Sequence, residues 1–461
     1  MKTQRLMRTA AATALVLVLV SGCDGILDLE PQQSISDDVA LSAPSAVETA
    51  LIGAYDVLGD ADLFGGRFML MADLLGDDGD LLWTGTFNQP REVWNKAILI
   101  DNSMVASQWI DSYRGINIAN NVLSALDVFE DEAARNRVEG EARFVRALLY
   151  HQLVRFFGRA WHDGDPNTNL AVPIVTDPTR DITDEARLPR NTVAEVYAQI
   201  IEDLTLARNQ LPAENGVFAE TYTASAVLAR VYLDQRRWSD AATEASRVIE
   251  ESGYSLAPTY AAAFNNQTDG PEYVFAIQVS PQDGANSLNE FYGSVNPGPG
   301  RGDIELTDQH QDRYEEGDAR AEFVFVENPD NPDTRAVRTA KWMQGPSGNV
   351  NIPVIRLAEM YLTRAEANLR GGTTIGADPV DDVNAIRERA ELDPVASVTV
   401  QDVMDERRLE LAFEGHRIFD AKRNQETIDG IAWDSPRLVY PVPRRELDAN
   451  PNLVQNQGYG S

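Results

Sequence analysis

The chain contains very little cysteine, histidine and lysine. Its 461 residues include one cysteine, Cys23, which excludes an internal disulfide bond and a zinc site built from cysteines. The four histidines are scattered and no two stand four residues apart, so the helical His pair of a zinc protease is absent. Lysine occurs at four positions only, so arginine carries most of the positive charge.

The sequence also lacks a long apolar run and an excess of basic residues. No run approaches the roughly 20 apolar residues that span a bilayer. Asp and Glu number 72 against 40 Lys and Arg, which gives a net charge of −32. A chain this acidic repels nucleic-acid phosphates, so no nucleic-acid partner is predicted. With 43% hydrophobic residues, the chain has the composition of a folded globular protein.

The N-terminus has the pattern of an export signal. Basic residues precede the apolar stretch Ala10–Val20, and the small residues Ser21 and Gly22 come directly before Cys23. The apolar stretch is too short for a membrane helix, so it predicts a secretory signal. The position of the sole cysteine resembles a bacterial lipobox and predicts cleavage before Cys23 and lipid attachment to it. The alternative is a soluble secreted protein with a stray cysteine.

The body of the chain is predicted to be mainly α-helical. Apolar residues recur at spacings of three and four in eight segments. These segments are Ala40–Leu58, Glu139–Phe157, Val193–Leu211, Ala224–Leu233, Asp240–Glu250, Ile355–Leu369, Asp381–Ala390 and Val400–Phe413. Ala229, Tyr232, Trp238 and Ala241 follow the small–aromatic–aromatic–small order of tetratricopeptide repeats. We therefore predict degenerate tetratricopeptide-like helical hairpins.

Two regions interrupt the helical pattern. Gly59–Lys96 is rich in Gly, Asp and aromatic residues, and Pro258–Val350 combines Gly, Pro and Asn with short alternating runs. Tyr273–Val279 and Glu322–Val326 are predicted strands. Long ordered loops on a helical scaffold commonly carry binding sites.

Aromatic and hydrogen-bonding residues cluster in the first of these regions, namely Trp83, Phe87, Asn88, Arg91 and Trp94. Flat rings beside amide and guanidinium groups suit a saccharide, because one face of a pyranose is apolar while its edge carries hydroxyls. The same prediction extends, on weaker grounds, to residues of the second region that include Tyr292, Arg301 and Trp342. The alternative is that these aromatic residues belong to the core. The strongly negative net charge favours a neutral ligand.

Two charged clusters have a functional and a structural interpretation. Glu410 and Glu414 stand four residues apart in the charge-dense segment Glu406–Arg417, so we expect them on one helical face, and a glycosidase uses two close carboxylates. We favour a buried ion network with Arg417 as a member instead, because the neighbouring arginines suffice to pair every carboxylate. Asp73, Asp77, Asp78 and Asp80 crowd one loop that lacks the spacing of an EF-hand. A solvated acidic loop is therefore favoured over a calcium site.

Seven segments together resemble the SusD/RagB family of nutrient-binding outer-membrane lipoproteins. These segments are residues 23–31, 113–122, 141–147, the hairpin at 224–250, and residues 353–362, 410–420 and 450–456. The resemblance implies a SusD-like α-α superhelix with a loop-rich, short-stranded subdomain. It further implies a lipid anchor in the outer membrane, a TonB-dependent SusC-like transporter as partner, an oligosaccharide or peptide ligand, and no cofactor, metal or catalytic residue.

The resemblance also suggests a division of the chain. Residues 1–22 form the signal, 23–40 a tether, 41–257 an N-terminal helical region, and 258–461 a C-terminal region with a loop-rich insert at 258–350. The predicted function is capture of glycans at the cell surface and their transfer to the transporter. A peptide-binding uptake protein of the RagB type, a glycan hydrolase and a pure protein-binding scaffold remain as alternatives.

Overall fold

A computed structural model describes residues 41–181, 183–283, 286–293, 300–328, 335–343 and 350–460. Cys23, the predicted signal and the tether lie outside these residues. The described residues form fifteen α-helices and six short strands, which confirms the predicted mainly α-helical class. No helix among them is both long and apolar enough to cross a membrane.

The helices are numbered in chain order. They are α1 (Pro44–Leu58), α2 (Arg67–Gly76), α3 (Asn88–Trp94), α4 (Ser103–Ser124), α5 (Glu132–Phe157), α6 (Val193–Gln210), α7 (Thr221–Asp234), α8 (Trp238–Glu251), α9 (Ser287–Tyr292), α10 (Asp308–Gln311), α11 (Leu357–Gly371), α12 (Pro379–Arg389), α13 (Val400–Glu410), α14 (Arg417–Asn424) and α15 (Arg444–Ala449). The strands are β1 (Leu81–Trp83), β2 (Tyr273–Ile277), β3 (Ile304–Leu306), β4 (Val324–Glu327), β5 (Ala336–Thr339) and β6 (Ile352–Arg356).

The long helices pack in sequence order. α4 packs on α1 and α5, α5 on α6, α6 on α7, and α7 on α8. α11 then packs on α8 although more than 100 residues separate them, and α12 and α13 follow. Ala229 and Ala241 are fully buried in the α7–α8 hairpin, where small residues let the two helices approach. The predicted tetratricopeptide-like hairpin is confirmed here.

Capping side chains set the starts of several helices. Thr192 and Glu195 form a reciprocal capping box at α6, as Thr399 and Asp402 do at α13. Asn102 accepts two backbone N–H groups at the start of α4. α4 was not predicted, although it has 22 residues, because its buried stripe includes polar Gln108, Ser112 and Asn120. Such residues obscure the apolar period on which the prediction depended.

The strands form three two-stranded antiparallel sheets: β1 with β3, β2 with β6, and β4 with β5. β1 and β3 pair Leu81 with Leu306 and Trp83 with Ile304, and so join the two regions predicted to be loop-rich. The first of these regions also contains helices α2 and α3, which were not predicted. The second is short-stranded as expected, but β4 starts at Val324 because a 3-10 turn occupies Ala319–Phe323. The proposed domain boundaries stay a prediction.

Candidate functional site

Three of the aromatic residues predicted to contact ligand lie in the core. Trp83, Tyr292 and Trp342 are only 4%, 1% and 3% exposed. Trp83 packs on Phe291 with 5.8 Å between ring centroids, and the Trp342 indole donates to the carbonyl of Phe413 at 2.9 Å. Alternation along β1 points Leu81 and Trp83 inward and Leu82 outward. The prediction that Trp83, and on weaker grounds Tyr292 and Trp342, contact a ligand is therefore corrected: these three rings fill the interior.

The other three predicted ligand residues lie on or beside α3. Asn88 and Arg91 are exposed, and Arg91 Nη2 donates to the carbonyl of Gly85. Trp94 is half-buried and its indole N–H donates to Oδ2 of Asp77 at 2.9 Å, which fixes the ring against the loop before β1. Contact of these residues with a ligand stays a prediction.

An exposed aromatic ring stands next to Asn88. The side chain of Phe87 is 38% exposed, although its edge meets Phe291 at 6.1 Å between centroids. The guanidinium of Arg301 lies over the Phe87 ring, 4.3 Å from its centroid, and Arg301 Nε donates to Asp303 at 2.7 Å. Phe87, Asn88, Arg91 and Arg301 together are called the Phe87 patch below.

Sequence reasoning placed Phe87 and Arg301 in separate regions. They meet because β1 pairs with β3, which brings the segment after Trp83 against the segment before Ile304. The backbone N–H groups of Thr84 and Gly85 both donate to the carbonyl of Asp303 and hold the two segments together. The two residues are 214 positions apart in the sequence, so their proximity could be found only from the register in which β1 and β3 pair.

Carboxylates of the acidic loop accept hydrogen bonds from donors of the protein itself. Oδ1 of Asp77 accepts the N–H groups of Asp80 and Leu81, both at 2.9 Å, and Asp80 is held by Arg313 and Arg408. No group of His, Cys, Asp and Glu in the described ranges is arranged to hold a metal ion. The loop is partly buried and ion-paired, so the expectation of a solvated loop is corrected.

Asp73 differs from the rest of that loop. It lies at the buried face of α2, where it accepts the Tyr292 hydroxyl at 3.0 Å and the N–H of Gly415 at 2.9 Å. Burial raises the pKa of the Asp73 carboxyl to about 8, against the lowering effect of these two hydrogen bonds. The side chain is therefore mostly protonated at neutral pH.

The charge-dense segment Glu406–Arg417 contributes to a buried ion network. Arg356, at the end of β6, lies at its centre and binds Glu272 at 2.5 Å, Glu410 at 2.9 Å and Glu414 at 2.7 Å. Lys341 adds a second contact to Glu414 at 2.6 Å. α13 ends at Glu410, and Phe413 and Gly415 adopt positive φ angles in the turn that follows. Glu410 and Glu414 thus do not share a helical face, which corrects that expectation.

The pKa shift of Glu410 in this network fits a structural ion pair and not a catalytic acid. Burial raises the pKa of Glu410, but the guanidinium groups of Arg389 and Arg356 outweigh it and hold the pKa well below its ordinary value. A glycosidase acid needs the opposite shift. Sequence reasoning singled out Arg417, which instead bonds half-exposed Glu426 at 2.6 Å. Arg356 was missed as the centre, although an arginine closing a buried strand is a signal that could have found it.

Comparison with known proteins agrees with this architecture. The sequence model of a family described as starch-binding and associating with the outer membrane matches residues 26–233, and that of the SusD family matches residues 333–437. The chain belongs to the SusD/RagB family. Phe87, Asn88 and Arg91 fall inside the first match, whereas Arg301 lies between the two matches.

Relatives of this family align over nearly the whole chain. The SusD-like protein P2 of Formosa agariphila is 27% identical over 522 residues, covering 98% of this chain and all of the relative. The starch-binding protein SusD of Bacteroides thetaiotaomicron is 37% identical over 125 residues, which is 24% of this chain and 22% of the relative.

Solved structures of the family superpose closely. A protein of Bacteroides vulgatus that is assigned as sugar-binding superposes with a TM-score of 0.80 at 28% identity. The superposition covers 91% of this chain and 99% of that one. A laminarin-binding SusD-like protein superposes with a TM-score of 0.74 at 25% identity, covering 90% and 99% of the two chains. A SusD superfamily protein of B. thetaiotaomicron reaches 0.81 at 24% identity, with 90% and 99% coverage, and supports the fold alone.

Proposed function

We propose that this SusD/RagB protein binds a carbohydrate at the Phe87 patch and serves nutrient uptake. The observation that carries the proposal is the exposed Phe87 ring, with donors from Asn88, Arg91 and Arg301 around it. The ring supplies apolar surface for one face of a sugar, and the amide and guanidinium groups reach hydroxyls at its edge. Names of relatives that refer to starch, sugar and laminarin support this ligand class.

The proposed role is binding without catalysis. The carboxylates that offered a glycosidase pair, Glu410 and Glu414, are held by Arg356 and are fully or almost fully buried. The carboxylate of Asp303 lies beside the Phe87 patch, and Arg301 pairs with it at 2.7 Å. A shallow patch with one stacking ring suits an affinity in the micromolar to millimolar range, on the order of −4 to −8 kcal/mol. Such an affinity permits release to a transporter.

The proposal includes an outer-membrane anchor and a transporter partner. Cys23, behind a short apolar stretch and small residues, is the proposed lipid attachment site, and the description of the matching family refers to the outer membrane. The proposed partner is a TonB-dependent SusC-like transporter on the same membrane. Purification from native membranes in mild detergent should recover a large β-barrel protein with this chain. Recovery of the lipidated chain alone at native expression levels would contradict the partnership.

Calorimetric titration tests the carbohydrate ligand. The protein is titrated with neutral oligosaccharides, acidic oligosaccharides and oligopeptides, and the experiment is repeated with Phe87→Ala. We expect a saccharide to bind and the variant to lose about tenfold or more in affinity. Leu99→Ala is the matched control, because Leu99 is also an exposed apolar side chain, at 56%, but lies after α3 and outside the patch. Binding of oligopeptides alone would favour a RagB-type peptide function instead.

A further inference from the structure

Lys422 is a buried ammonium group without a carboxylate partner. It lies on α14, is 5% exposed, and its Nζ donates to the carbonyl of Leu438 at 2.5 Å. Within the described part of the chain, no carboxylate oxygen forms an ion pair with it inside the 4.0 Å limit for such pairs. Burying a charged group without an opposite charge is costly, so Lys422 calls for an explanation.

Lys422 lines a small open pocket. The pocket lies where the end of α5 and the turn at residues 159–162 meet α6 and α14, and its cavity volume is about 30 Å³. Its other walls come from cationic and aromatic side chains, namely Arg155, Arg159, Trp161, His162, Tyr197, Phe419 and Arg423, with Asp234 as the one acidic residue in the lining. A single water needs roughly 10–15 Å³ of such volume. The cavity therefore admits a small ion or a carboxylate, and excludes a whole sugar ring.

The arginines that line this pocket are already paired. Arg155 lies 3.3 Å from Asp234, which also bonds His151 at 3.0 Å. Arg159 bonds Asp163 at 2.8 Å. The remaining lining guanidinium belongs to Arg423, which bonds Glu366 at 2.6 Å and Asp420 at 2.9 Å. Asp163 also acts on Lys422, but only at longer range, and it is already bonded by Arg159, so these pairs leave the ammonium of Lys422 without a carboxylate in direct contact.

A second cation, Arg236, stands beside the pocket, and it forms no ion pair with a carboxylate of the described residues. Arg236 Nη2 donates to the carbonyl of Arg423 at 2.6 Å, and its Nε is buried without a hydrogen bond. Burial, then repulsion from Arg370 and Arg423, lowers the pKa of Arg236. His162, in the pocket wall, has a buried Nε2 without a partner, and burial followed by the charge of Arg236 lowers its pKa to about 4. Lys422 and Arg236 thus lie close to this pocket in a protein whose net charge is −32.

We propose that this pocket, lined by Lys422, Arg155, Arg159 and His162, binds a small anion of carboxylate size. The anion supplies the charge that Lys422 lacks, and the pocket lining includes the half-buried ring of Trp161. The source is a free anion or the carboxylate of a uronic acid in an acidic saccharide. This site uses none of the residues of the Phe87 patch and does not depend on the carbohydrate proposal.

The scarcity of lysine makes the site observable. The chain has lysines only at positions 2, 96, 341 and 422, so lysine-selective ¹³C labelling gives at most four ε-methylene signals, assigned by substitution. Burial, partly offset by Asp163, lowers the pKa of Lys422 to about 7, so its signal titrates near neutral pH. An anion that binds the charged form tenfold more tightly than the neutral form raises this pKa by about one unit.

The experiment titrates the labelled full chain, in mild detergent and low-salt buffer, with chloride, acetate, glucuronate and glucose. Glucuronate and glucose are a matched pair that differ by the carboxylate. We expect saturable shifts of the Lys422 signal with glucuronate, and none with glucose. A response to glucuronate but not acetate identifies a saccharide source, and a response to both or to chloride identifies a free small anion. No response to any of the three anions overturns the proposal.

Substitution supplies a second measurement. An anion that binds the folded protein should raise its melting temperature. Lys422→Met should abolish this rise, whereas Lys96→Met should retain it. Lys96 is the matched control because it is also a buried lysine, 2% exposed, whose Nζ donates to the carbonyl of Asp77. If Lys422→Met does not fold, Arg236→Gln replaces it, with exposed Arg445→Gln as its control. An equal anion response in the wild type, the tested variant and its control would show that the pocket is not the anion site.

Discussion

Nη1 of Arg356 donates to Oε1 of Glu410 at 2.9 Å, and both side chains are completely buried. This contact joins the end of β6 to the end of α13 across 54 residues of sequence. Glu272 and Glu414 complete the charges around the same guanidinium. The ion network thereby ties the short-stranded region to the C-terminal helices.

Arg356→Met should destabilise the protein by about 3–5 kcal/mol, because it leaves buried carboxylates without their partner. Urea unfolding followed by circular dichroism measures the change. Arg417→Met is the control, since Arg417 pairs with half-exposed Glu426 and should cost at most about 1 kcal/mol. Equal losses in the two variants would contradict a network centred on Arg356.

Trp83→Ala and Phe87→Ala should behave in opposite ways. Trp83 is a core residue, so its truncation should cost about 3–5 kcal/mol of stability and leave the saccharide affinity of the folded fraction unchanged. Phe87 is exposed, so its truncation should change stability by about 0.5 kcal/mol or less while weakening binding. Melting temperatures and calorimetric titrations on both variants check the pair. Loss of affinity in Trp83→Ala with an unchanged melting temperature would restore Trp83 to the site.

Asp73 should make stability fall with rising pH. The pKa of its carboxyl is about 8 in the folded protein, against an ordinary value of 3.8, so the folded state binds more protons between these values. The contribution of Asp73 to the free energy of unfolding is therefore fully present below about pH 4. It is lost as the pH rises toward 8, by at most about 1.4 kcal/mol per pH unit.

The measurement is the denaturant midpoint of the wild type and Asp73→Asn between pH 5 and 8. We expect the difference between the two proteins to shift in favour of the variant as the pH rises, because asparagine does not ionise. Asp127→Asn, at a side chain that is 99% exposed, should show no such trend. A constant difference for Asp73→Asn over this range would refute a protonated Asp73.

Cys23→Ala should release the chain from the membrane. Without the thiol, no lipid is attached, so the chain should appear in the soluble fraction or remain unprocessed. Membrane fractionation, with mass spectrometry of the N-terminus, checks this. Ser21→Ala is a control, because it keeps the small residue before the cysteine and should preserve anchoring. Continued membrane association of the variant, with cleavage still before residue 23, would argue against lipidation.

Local patterns were enough to predict the helical scaffold. The periodic segments correspond to α1, α5, α6, α7, α8, α11, α12 and α13. Their ends shift by four residues or fewer, except that α5 begins seven residues before the predicted segment. α4 escaped because its buried face carries polar residues that bond to distant partners: Asn120, for example, donates to the carbonyl of Val175 at 2.9 Å. The periodicity of apolar residues in one segment does not reveal a hydrogen-bond partner that lies far away in the sequence.

The candidate site was predicted in part. Asn88 and Arg91 lie on the surface, as a binding role requires, whereas Trp83, Tyr292 and Trp342 were wrongly predicted to contact a ligand. An aromatic residue in a Gly- and Asp-rich segment has the same local sequence whether it is buried or exposed. Trp83 is buried because it lies on the inward side of β1, the strand that pairs with β3.

The sequence by itself determined the helical class, the α7–α8 hairpin and the resemblance to the family, because each depends on residues close together in the chain. The tertiary structure decided which charges are buried, which rings remain exposed, and that Lys422 lacks a carboxylate partner among the described residues. These properties depend on distances between residues far apart in sequence. Desolvation and Coulomb energies depend on distances in space and not on separation along the sequence.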